Sequence, residues 1–151
     1  LRVCYTVTER NERIMLKEKA ELYYLSGYNC AECMLHAAND VYALGLDEHA
    51  MRLAAGFGGG MQVGEVCGAL TGAICAIASR YVETKAHDTP ALAPLTKELV
   101  RRFQAQFHAL RCAEIKPQCF QPATRCLQTV HQAADLLEGL LTEWDARAEL
   151  L

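Results

Sequence analysis

Seven of the ten glycines in this 151-residue chain fall within seventeen positions, in the stretch GFGGGMQVGEVCGALTG from Gly56 to Gly72. Glycine accepts positive φ and close backbone approach at a cost in chain entropy, so such density is expected where the chain bends sharply and something packs against bare backbone. The stretch contains Cys67 and opens a run of fourteen uncharged residues, Val66 to Ser79. That run is too short and too rich in Gly, Thr and Ser to span a bilayer, and it reads as a buried helix. The glycines lack the Lys-Ser/Thr ending of a phosphate-binding loop and miss the GxGxxG register, so a nucleotide site is not expected. Their expected task is to place Cys67 at a helix start, with Gly68 and Gly72 allowing a neighbouring helix to come close.

The flanking sequence is helical in pattern. Residues 1–8 form an arm, and good helix formers from Glu9 to Leu25 end at Ser26-Gly27. Asn29 is an N-cap with Glu32 completing a capping box, which makes Cys30 the first helical residue; Gly45 ends that helix. Asp47 caps a short helix to Ala55. Beyond Tyr81, a loop with Pro90 and Pro94 leads to an amphipathic helix marked by Leu95, Leu99, Phe103, Phe107 and Leu110, with Cys112 just past its end. Pro117 and Pro122 bound a further loop, and Pro122 suits the first turn of a last helix with Cys126, Val130, Ala133, Leu137, Leu140 and Trp144 inside. Without βαβ alternation, the expectation is an all-α, single-domain bundle of five or six helices over residues 9–151.

A net charge of -3 argues against nucleic acid and anionic membranes as partners. The charge is uneven, because residues 97–125 hold six basic side chains against Glu98 and Glu114. A chain of this length folds without disulfide staples, so eight cysteines ask for another explanation. No signal-peptide pattern opens the sequence, and a cytoplasmic location is expected. The five histidines show no HExxH or paired spacing; His108, four residues before Cys112, is the one of interest.

Four cysteines have settings that favour a thiolate. Cys30 and Cys67 fall at expected helix starts, and Cys112 and Cys126 each follow an arginine, Arg111 and Arg125. A single buried cysteine is commonly a small core residue, but four such settings together point to chemistry. The segments GYNCAECML, FGGGM leading to VCGALTG, FHALRCAEI and RCLQTVHQAADLL resemble the redox-active family named for its CGAxxG motif and four cysteines, C_GCAxxG_C_C. The resemblance covers about residues 18 to 141 and places the four cysteines on Cys30, Cys67, Cys112 and Cys126 and the CGAxxG motif on residues 67 to 72. It implies a small soluble bacterial or archaeal protein with a redox role, often encoded beside transporter genes. Cys4, Cys33, Cys75 and Cys119 lie outside that pattern.

Three functions follow as expectations. In the first, Cys30, Cys67, Cys112 and Cys126 converge to hold an iron-sulfur cluster or another thiolate-bound metal, with Gly59, Gly60 and Gly68 giving backbone access to it. In the second, the same cysteines form reversible pairs, such as Cys30 with Cys67 or Cys112 with Cys126, and no cofactor is needed. In the third, the cysteines only pack and the protein is a helical interaction module. Cys30-Ala-Glu-Cys33 copies a thioredoxin-like CxxC, but no strand precedes it. An electron-transfer partner is implied, and a homodimer is expected from the small-residue stripe and the apolar helices.

Overall fold

A computed structural model of the chain describes residues 15–150, and the expected arm at residues 1–8, with Cys4, lies outside them. Seven helices and no strand occur among the described residues: α1 (Leu16–Leu25), α2 (Cys30–Tyr42), α3 (Glu48–Arg52), α4 (Gly68–Tyr81), α5 (Leu92–Phe107), α6 (Cys112–Cys119) and α7 (Leu127–Glu149). The all-α expectation holds, with one more helix than the upper figure. The extra one is α6, which starts at Cys112 and runs through Pro117 into the stretch read as a loop. Proline there removes one backbone hydrogen bond, yet a two-turn helix survives with Ile115 buried beneath it.

The core is aliphatic and alanine-rich. Met34, Ala37 and Ala38 of α2 face Ala69, Ala73 and Ala76 of α4, and Leu137, Leu140 and Leu141 of α7 close the bundle against Leu95, Leu99 and Phe103 of α5. α2 and α4 cross closely because Gly72 has no side chain: a Cβ there would lie 2.4 Å from the Ala31 carbonyl oxygen. α1 packs on α2 and α7, and its Leu16 N–H donates to Glu138 Oε2 of α7 at 2.6 Å.

Several boundaries differ from the sequence reading, and the shifts at α4 and α7 change where a cysteine stands. α2 ends at Tyr42 with Ala43 in the left-handed region, before Gly45. α4 begins at Gly68, so Cys67 is its N-cap. α5 ends at Phe107, with His108 an exposed left-handed cap. α7 begins at Leu127, five residues beyond Pro122, with Cys126 as its N-cap and only half-buried. The delay is caused by a tight turn in which Gln121 and Arg125 exchange backbone hydrogen bonds, with Arg125 at φ 54.

Candidate functional site

Asn29 builds the first wall. Its side chain accepts the Ala31 and Glu32 N–H groups at 3.1 and 3.0 Å, while Glu32 accepts the Asn29 N–H at 2.9 Å, so the expected capping box forms with Cys30 first in the helix. The Asn29 amide also donates to the Ala55 carbonyl at 2.9 Å, which ties the glycine loop to α2. Gly58 packs under that amide, where a Cβ would lie 2.5 Å from Asn29 Nδ2.

The loop itself turns left-handed. Gly59, Gly60, Met61 and Gln62 have φ of 60, 65, 56 and 64°, a run that L-residues tolerate only with strain. A Cβ on Gly60 would lie 2.3 Å from the Glu65 carbonyl oxygen and 2.8 Å from Cys112 Cβ. The chain then meets the segment before α6 in a short antiparallel bridge at Val66 and Arg111. Cys67 N–H donates to the Leu110 carbonyl at 2.8 Å and Cys112 N–H to the Glu65 carbonyl at 2.7 Å, which puts Cys67 and Cys112 on one face as diagonal neighbours. Gly68 completes the approach, because a Cβ there would lie 2.5 Å from Cys30 Sγ. The fourth wall is Cys126, whose N–H donates to the Tyr24 hydroxyl at 3.0 Å.

These elements enclose a cavity of about 190 Å³ whose wall includes Cys30, Cys67, Cys112 and Cys126. Each of the four stands at the N-terminal end of a different helix, as first residue in α2 and α6 and as N-cap in α4 and α7. Of the three glycines expected to serve a cofactor, Gly59 lines the cavity, Gly68 lies beneath Cys30 and Gly60 beneath Cys112. Cys33 is elsewhere: it is fully buried in the core and its S–H donates to the Cys30 carbonyl at 3.3 Å, so the CxxC does not present two thiols to one space. Cys75 and Cys119 are half-buried and outside the cavity wall, and His108 does not reach it.

The electrostatics correct the expectations for Cys30, Cys67 and Cys126. Helix N-termini were expected to hold Cys30 and Cys67 as thiolates. Burial instead raises both thiols, Cys67 to about 12, although the Ala69 and Leu70 amides pull Cys67 down and the Gly59 N–H does the same for Cys30. Burial dominates because Cys67 is 5% exposed and the other cysteines of the cavity add like-charge repulsion. The neighbouring arginines were expected to activate Cys112 and Cys126. Arg111 instead pairs with Glu65 at 2.9 Å on the surface, and Arg125 lies over the Tyr24 ring at 4.7 Å. Burial raises Cys126 too, and the cation that opposes this is Lys116, ten residues away in sequence.

Sequence reasoning missed five residues of this wall, Tyr24, Ile115, Lys116, Phe120 and Thr129. The described cysteines are all free thiols, and among the described residues no three His, Cys, Asp or Glu side chains stand close enough together to hold a single metal ion.

The fold and site define a small all-α protein in which four helix ends carry cysteines to one cavity. A family profile described as "Putative redox-active protein (C_GCAxxG_C_C)" matches residues 28–140, and the chain belongs to that family. No curated protein and no solved structure matches the chain. No helix among the described residues is long and apolar enough to cross a membrane.

Proposed function

We propose that the chain is an electron-transfer protein in which Cys30, Cys67, Cys112 and Cys126 hold an iron-sulfur cluster or another thiolate-bound metal group. The observation that carries this reading is the meeting of four helix N-termini, each with one cysteine, at a single cavity. Such ends carry partial positive charge, and Lys116 and Arg125 add full charges to the wall. Four thiolates around a metal group carry the complementary negative charge. The four cysteines line a cavity of about 190 Å³, which has room for a group of several atoms.

When bound, the group would supply one-electron transfer. The protein's part is to bind, shield and tune. Because burial keeps the free thiols protonated, loading is coupled to proton release. The Gly59 N–H beside Cys30 and the Ala69 and Leu70 amides beside Cys67 are placed to stabilise the ligated sulfurs. The same reading implies a protein electron donor or acceptor and a cytoplasmic setting.

Anaerobic purification followed by a visible spectrum and by iron and acid-labile sulfide analysis tests this directly. Sulfur-to-iron absorption with both elements present is expected; absence of both, with no other metal, from protein never exposed to air overturns it. A second reading is reversible thiol-disulfide chemistry, favoured by Cys67 and Cys112 lying on one face of the short bridge. Free-thiol counts across a redox titration decide it: paired loss at one midpoint within the cytosolic range supports it, and thiols that never pair remove it.

A further inference from the structure

The cavity wall is not evenly covered. Tyr24, Cys67, Ile115 and Thr129 are buried, whereas Gly59, Lys116, Phe120 and Arg125 are exposed. The cavity therefore opens where the glycine loop faces α6 and the turn before α7. An electron reaches a sheltered centre at a rate that falls steeply with distance, so a partner has to dock where the cover is thinnest.

The surface at this opening is apolar. Ala113, Pro117 and Phe120 follow helical spacing on the outer face of α6, are exposed, and line a shallow groove together with Lys116 of the cavity wall. Ala113 stands against the glycine loop, since a Cβ on Gly64 would lie 3.2 Å from its own. The strip thus continues into the loop, which carries Val63 at 72% exposure. An apolar patch of this kind beside a site marks an interaction surface.

Charge is arranged across the patch. Ile115 turns inward, which puts Lys116 on the edge of α6 beside the cavity and Glu114 on the edge away from it. Lys116 and Arg125 have no carboxylate partner among the described residues; they lie against the rings of Phe120 and Tyr24 at 5.5 and 4.7 Å. Arg111 is neutralised by Glu65. The chain as a whole carries -3, so an acidic partner is repelled by most of the surface and drawn to this opening.

We propose that Val63, Ala113, Pro117 and Phe120, with Lys116 and Arg125 at the inner edge, form the docking surface for an acidic electron-transfer protein. The inference rests on the reading of the cavity as a thiolate-bound metal or cluster centre and adds the place and the chemistry of the partner. In the reducing direction the partner's centre loses one electron and the group at the four cysteines gains it, with no atom transferred.

The probes are a reduced acidic ferredoxin and, for contrast, the basic cytochrome c. In anaerobically loaded protein, reduction by the ferredoxin is expected to slow as salt rises. Val63→Glu and Pro117→Glu are expected to slow it about tenfold at low salt, with iron content and visible spectrum unchanged and electron exchange with cytochrome c no slower. Leu150→Glu, at the far end of α7 from Cys126, is the control and is expected to match wild type. Carbodiimide joins a lysine to a carboxylate that it touches and gives a readout independent of the centre. Links from the ferredoxin are expected at Lys116 ahead of Lys85 and Lys97, with and without metal. Rates equal to wild type in both acidic variants, at normal iron content, overturn the docking surface while leaving the metal centre standing. Links that favour Lys85 or Lys97 do the same, and links from Lys116 to a second copy of this chain assign the face to a dimer and overturn it too. Wild-type protein that takes up neither iron and sulfide nor Cd²⁺ added alone overturns the metal reading and this inference with it.

Discussion

At Cys67 two effects of similar kind oppose each other, and burial is the larger. The amides of Ala69 and Leu70 favour its thiolate, but with 5% exposure the thiol is pushed up to about 12 from an ordinary 9.0. The folded state therefore prefers the protonated thiol. Stability gained that way is fully present below pH 9 and is lost as the pH rises towards 12. At pH 8 the thiolate fraction is about a thousandfold smaller than for an ordinary cysteine. Alkylation of Cys67 in reduced native protein, followed by mass spectrometry, is expected to be slower by at least that factor than in urea-unfolded protein. Comparable rates would mean that the thiol is neither buried nor neutral. The placing of Cys30 was legible in the sequence, because Asn29 and Glu32 form a local capping box. The place of Thr129 in the wall was not legible, since it depends on the left-handed turn at Arg125 that leads into α7, which no local pattern announced.

Glycine serves opposite ends in different elements, and its substitution separates them. Gly72 sits where α4 crosses α2, and an added methyl would meet the Ala31 backbone, which cannot swing aside as a side chain can. Gly72→Ala is expected to destabilise the protein by about 1–3 kcal/mol through overpacking. Gly139 in α7 has nothing within 4 Å of where an added methyl would stand, so Gly139→Ala is expected to stabilise by about 0.5–1 kcal/mol through helix propensity. Urea melts of the two variants check the pair; equal effects would sink the close-crossing account. The loop gives a third comparison. Met61 is half exposed at φ 56, so Met61→Gly relieves left-handed strain, with a net gain of about 0.5–1 kcal/mol after the entropy of the added glycine. Gly60→Ala, facing the Glu65 backbone and Cys112 Cβ, is expected to lose stability in the same assay. The glycine density was plain in the sequence and its purpose, close approach, followed from it. That two non-glycine residues would join the left-handed turn did not follow, because no local pattern at Met61 and Gln62 announces it.

Across the whole molecule the bundle and the site are unequally secured. α2, α4 and α7 each bury six or more residues, and for α7 periodicity alone made the inward face of Val130, Ala133, Leu137 and Leu140 readable. α6 buries only Ile115, and it escaped the sequence reading because its pattern is too short and is interrupted by Pro117. Yet α6 carries Cys112 and Lys116, two parts of the cavity wall. Local opening tracks the buried contacts that hold an element, so the site contains one weakly held side against three firm ones. In reduced protein without metal, amide exchange in residues 113–120 is expected to be the fastest of any helix longer than one turn that lines the site, with the α2 and α4 interiors exchanging last. A group bound at Cys112 and at the firmer Cys30, Cys67 and Cys126 would close that side, so loading should slow exchange in α6 far more than in α4. Replacing Cys112 by Ser should remove this protection without changing exchange in the α2–α4 core. Hydrogen exchange read by mass spectrometry resolves these segments. If α6 is as protected as α4 before loading, the weak side of the site lies elsewhere.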